Sequence, residues 1–93
     1  MSAKSERTAA REAVATYYEA QLAELVQRVA AAIDGFRAGE FNASDVDRAL
    51  FQYSRAAKEL WKFCNVGDVE LAATAVLEGV RIDWWERAAP RTR

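Results

Sequence analysis

Six residues that favour a protein interior, Val46, Leu50, Tyr53, Ala57, Leu60 and Cys64, recur at spacings of 4, 3, 4, 3 and 4. That rhythm draws one seam down an α-helix and fits no strand, whose side chains repeat every second residue. Ala49, Ala56 and Phe63 widen the seam on one flank and Trp61 on the other. The apolar arc then covers on the order of 140°, against the ~100° that one packed face requires. Such an arc predicts contact with two neighbouring helices.

The ends of this helix are well signalled. Asn42 is a good N-cap with Asp45 at the N3 position, and Phe41 and Val46 occupy the two positions of a hydrophobic staple. Lys58 and Lys62 suit the negative end of the helix dipole. The expected span is 43–64.

Before it, Ala15, Tyr18, Leu22, Leu25, Val29, Ala32 and Phe36 step at 3, 4, 3, 4, 3 and 4, with Val26 and Ile33 widening the seam. This predicts a long first helix over 6–38. Residues 1–5 are small and polar and expected to fray. Gly39 is the natural residue after the helix end, and Gly35 is a place where the helix could stop a turn early. The short link through residues 39–42 makes the first two helices antiparallel.

Asn65-Val66-Gly67 breaks the chain again. Asp68 is the expected N-cap of a third helix over 68–89, with Pro90 just beyond its end. Its main face is Val69, Ala72, Ala73, Val76, Leu77, Val80 and Trp84. A second apolar face holds Leu71, Ala75, Ile82 and Trp85. The fold class expected is therefore all-α, a three-helix antiparallel bundle with a long first helix, formed by one domain over 1–93.

Two features of that architecture point to association. A three-helix bundle buries one stripe per helix, which leaves Leu71, Ala75, Ile82 and Trp85 on the surface, and exposed patches of this kind mark interfaces. The first helix, at about 48 Å, also overhangs the others, at about 30 Å each. The overhang includes Val14, Tyr17 and Tyr18, with Tyr17 as an exposed aromatic. The expected interface is Leu71, Ala75, Ile82 and Trp85 with Val14 and Tyr17, joining two copies into a helical homodimer or binding another protein.

The central helix also carries Arg48, Phe51, Arg55, Lys58 and Lys62 on its far side. These residues are a candidate anion or nucleic-acid contact, with Phe51 to stack on a base. The plainer account is a solvated face, with Phe51 covered by the stems of Arg55 and Lys58. Net charge is −1, so no global field favours nucleic acid or an anionic membrane. The stretch from Asp68 to Arg87 is acidic, and Arg91 and Arg93 are basic.

Composition excludes much chemistry. The chain has no histidine, so His-based acid–base catalysis, His-activated nucleophiles and most transition-metal sites are ruled out. One cysteine makes neither an internal disulfide nor a zinc site, and its place on the seam reads as an inert core thiol in a reducing compartment. The four glycines are too scattered for a phosphate-binding loop, and Glu40, Asp45 and Asp47 lack the spacing of a calcium loop. No apolar run approaches the ~20 residues that span a bilayer, and the N-terminus lacks a signal peptide's apolar core.

The reading that remains is a small cytoplasmic, non-enzymatic interaction or oligomerisation module that needs no cofactor and no metal. Its alternative is a small regulator that binds nucleic acid through the basic stripe. Alanine richness, with arginine preferred over lysine, points to a high-GC bacterial source.

Overall fold

The computed structural model describes residues 3–90. The basic residues Arg91 and Arg93 lie outside them. The described residues form four α-helices and no strand: α1 (Ala3–Arg37), α2 (Ala43–Asn65), α3 (Val69–Leu77) and α4 (Trp84–Arg87). The protein is all-α, as the seam periodicities predict. Of the segment expected to fray, Ala3, Lys4 and Ser5 already belong to α1.

α1 passes through Gly35 without stopping. It ends at Arg37, where Gly39 takes φ +79°. The Gly39 amide donates to the Phe36 carbonyl at 3.1 Å, and the Glu40 amide to the Gly35 carbonyl at 2.9 Å. This is a Schellman motif, which satisfies carbonyls that a helix end otherwise leaves open. Gly35 has a different use. A Cβ there would lie 2.3 Å from the Phe41 ring, so the ring closes the link by packing directly against this glycine. At the start of α2, Asn42 accepts from the Asp45 amide at 2.9 Å and Asp45 accepts from the Asn42 amide at 2.8 Å. That reciprocal pair is a complete capping box.

α1 and α2 form an antiparallel hairpin. Ala15 and Tyr18 share a groove with Trp61 and Cys64, at the end away from the link. Further along, Arg28 and Gln52 both meet Trp85. Residue numbers on the two helices thus run in opposite directions, matched at about 15 with 64, 18 with 61 and 28 with 52.

The expected third helix over 68–89 is not continuous. α3 stops at Leu77, residues 78–83 are non-helical, and α4 is a single turn. The cause is a second Schellman motif. Gly79 has φ +80°, its amide donates to the Val76 carbonyl at 3.0 Å, and the Val80 amide donates to the Ala75 carbonyl at 3.0 Å. Asp83 then caps α4 by accepting from the Glu86 amide at 3.0 Å. After the break, residues 78–83 lead into α4, whose Trp84 is buried in the core.

The core is small. Its buried members are Val14, Leu25, Ala56, Leu60, Cys64, Ala72, Ala73, Trp84 and Ala88. Four are alanines, which let backbones approach closely but remove little apolar area from water. Leu60, Leu25 and Trp84 are the largest apolar side chains among the buried members. The molecule is long for its mass, with a radius of gyration of 16.3 Å, against about 12 Å for a compact chain of this length. Its accessible surface is 6976 Å², against about 5,400 Å² for a monomer of its mass.

Gly79→Ala tests the break directly. A Cβ meets no neighbour there, so the cost comes from the left-handed backbone alone and should be about 1 kcal/mol in urea denaturation. An unchanged midpoint would show that α3 tolerates extension.

Candidate functional site: the open face of the hairpin

The two sides of the hairpin differ, and α4 makes the difference. Trp84 is buried and donates its indole Nε1–H to the Tyr17 Oη at 3.0 Å. The Phe63 ring tilts against both, at centroid distances of 5.7 Å from Tyr17 and 5.4 Å from Trp84. Trp85 points elsewhere and lies under the Arg28 guanidinium at 5.9 Å, while Arg87 covers Trp84 at 5.7 Å. Side chains of α2 close the end of the short helix. Gln52 Nε2 donates to the Trp85 carbonyl at 2.8 Å, and Arg55 Nε donates to the Ala88 carbonyl at 3.0 Å. A one-turn helix has no stability of its own, so these contacts hold it.

Most residues of the expected interface lie at or beside these contacts. Val14, placed on the overhang, is 5% exposed and belongs to the core. Tyr17, Ile82 and Trp85 pack against the same core. Ala75 is half-buried, and only Leu71, at 71%, stands clear in solvent. The turn at Gly79 rotates Ile82 and Trp85 off the face they would share with Leu71 on a straight helix. α3 and α4 also cover the N-terminal half of α1, so the uncovered stretch shrinks to Lys4–Ala9.

The basic stripe is largely engaged within the chain. Arg48 pairs with Asp45, Lys62 with Glu59 at 3.7 Å, and Arg55 with the Ala88 carbonyl. Lys58 has no such partner, and Phe51 is exposed. No three Cys, Asp or Glu side chains among the described residues gather closely enough to hold a metal ion. No helix among them is long and apolar enough to cross a membrane.

The other side of the hairpin carries the unassigned surface. At 100° per residue, Tyr17, Gln21, Glu24 and Arg28 lie on one flank of α1, and Gln52, Arg55 and Phe63 on the matching flank of α2. α4 and the segment before it sit there. On the opposite flank of α1 lie Ala15, Leu22, Val26 and Ile33, and on that of α2 lie Val46, Leu50, Ala57 and Trp61. No element packs over most of this side. Val26 is 48% exposed, Leu50 46% and Trp61 50%. Near its far end, the groove beside Ala15, Tyr18, Trp61 and Cys64 has a volume of about 540 Å³.

This open face is partly visible in sequence, since Trp61, Val26 and Ile33 already widen the seams. Its sidedness is not, because it depends on where α4 docks. A further signal is a second seam on α1: Glu19, Ala23, Val26, Ala30, Ile33 and Arg37 step at 4, 3, 4, 3 and 4. Alanines in its middle and charges at its ends hide it from a search for large apolar residues.

Burial sets the titration of two groups. It pushes the Tyr17 phenol above its ordinary 10.0, partly offset by the hydrogen bond from Trp84. It also pushes the Cys64 thiol up, which suits an inert, protonated sulfur. For Tyr17 the folded chain holds its proton more tightly than the unfolded chain. Its stabilising contribution is present below about pH 10 and is lost as pH rises through the folded value. Tyr17 should therefore ionise late in an absorbance titration, and Tyr17→Phe should remove that late step. Trp84→Phe keeps a ring but deletes the donor. It should cost about 1 kcal/mol or more and move the late step higher still. A titration that Tyr17→Phe leaves without the loss of a late step would contradict the geometry.

Comparison with protein-family models, with curated proteins and with solved structures found no match to this chain.

Proposed function

We propose that this protein is a non-catalytic association module that acts as a homodimer joined through the open face of the α1–α2 hairpin. The observation that carries the reading is the alignment of half-exposed Val26, Leu50 and Trp61 on the one side of the hairpin that α3 and α4 leave bare. Apolar residues scattered singly need no partner, but an aligned set along two paired helices does. Two hairpins stacked on this face make a four-helix arrangement with a shared core, a common solution for helices of heptad spacing.

Area supports the same reading. The chain exposes about 1,600 Å² more than a compact monomer of its mass. A standard interface covers about 800 Å² on each partner. The excess therefore accommodates a dimer. Cys64, buried and unpaired, fits a reducing compartment, and we place the protein in the cytoplasm. Nucleic-acid contact through Arg48, Phe51, Arg55, Lys58 and Lys62 has less support, because most of these cations already have partners in the chain.

Val26→Glu and Leu50→Glu test the reading. Both positions are about half exposed in the single chain, so its own stability should change by about 0.5 kcal/mol or less. In a dimer each substitution enters twice and buries a charge where about 1 kcal/mol of further side-chain burial had been, since each side chain is already half covered. Sedimentation should show folded monomers, with self-association weakened at least about a hundredfold. Dimers of wild-type affinity would exclude this face.

A further inference from the structure

We propose that the second copy docks antiparallel, with α1 against α1 of its partner about a two-fold axis level with residue 28, and that Glu19 of each copy pairs with Arg37 of the other. This rests on the homodimer reading and adds its register.

The argument comes from the second seam of α1. Glu19, Ala23, Val26, Ala30, Ile33 and Arg37 lie within one narrow arc on the open side. In a two-fold interface, if residue i meets j, then j meets i. A seam that fits itself must therefore be complementary when reversed about its centre. This one is. Reversal about residue 28 sets Val26 against Ala30, Ile33 against Ala23 and Glu19 against Arg37. Large side chains meet small ones, and opposite charges meet at both ends. A parallel arrangement would oppose Glu19 to Glu19 and Arg37 to Arg37.

Three further observations fit. Glu19 and Arg37 are exposed, and neither takes part in the ion pairs among the described residues, Arg48–Asp45 and Lys62–Glu59. Ala23 is exposed and Ala30 half-buried, so the α1 backbone is open to close approach. The level of residue 28 is fixed on α2 by Trp85, which meets both Arg28 and Gln52. Leu50 lies half a turn from that level on the open side. The same two-fold therefore brings Leu50 close to Leu50 of the second copy, removing both from water.

Charge reversal provides the test. Glu19→Arg and Arg37→Glu each convert two attractive pairs per dimer into two repulsive ones, and should each weaken self-association roughly tenfold at low salt. Mixed together, the two variants should prefer each other, because every pair in the mixed dimer is again opposite in sign. The double variant Glu19→Arg/Arg37→Glu should recover wild-type association. All of these differences should collapse near 1 M salt, where charges are screened within about 3 Å. Affinity-tagged and untagged copies, read by native mass spectrometry, count the mixed species, and circular dichroism confirms that each variant is folded. Unchanged affinity in both single variants with statistical mixing would overturn this register. It would leave self-association standing if Val26→Glu still gave monomers. A wild-type chain that stays monomeric throughout would overturn the register and the homodimer together.

Discussion

The Trp84 side chain is the contact on which the arrangement depends. It is the largest buried side chain, and it joins three parts of the chain: α4 itself, Tyr17 of α1 through its indole N–H, and Phe63 of α2 through ring packing. Alanines make up much of the remaining core, and they bring helices together without contributing much area. The geometry of residues 78–88 follows from this anchor. Gly79 ends α3, Asp83 starts the last turn, and Gln52 and Arg55 of α2 close its end. With α4 seated on one flank of the hairpin, most of the other flank has no cover among the described residues. The open face is the counterpart of the Trp84 anchor.

Where the sequence was legible, local chemistry decided the outcome. The seam from Val46 to Cys64 marks α2 because 4-3-4 spacing has one structural solution, and Asn42 with Asp45 closes the capping box that those residue types announce. Gly39 ends α1 at the position its type suggests. The long third helix failed for an equally local reason. Gly79 and the pair Asp83 and Glu86 carry the same stop-and-start signals as Gly39 and Asn42 with Asp45. Both signals were outweighed by an apolar periodicity that happens to continue across the break.

The candidate site was legible in composition and not in placement. An excess of apolar surface over what three helices can bury is a property of the sequence, and it survives in the structure as the exposed Val26, Leu50, Trp61 and Leu71. Which residues make up the excess depends on tertiary packing. Val14, Tyr17, Ile82 and Trp85 moved inward once the turn at Gly79 folded α4 back, while Leu50 and Trp61 moved outward. The basic stripe changed its meaning in the same way, because Arg55 reaches a carbonyl that lies near it only in the folded chain. Periodicity identifies a face, but the partner of that face is set by contacts far away in sequence.

The central claim is that the chain completes its core with a second copy of itself. Static light scattering of the wild-type protein over a hundredfold range of concentration tests it most directly. The expected result is a mass that settles at twice the 10.4 kDa of one chain and falls toward one chain only on dilution. A mass of 10.4 kDa held across the whole range would contradict it.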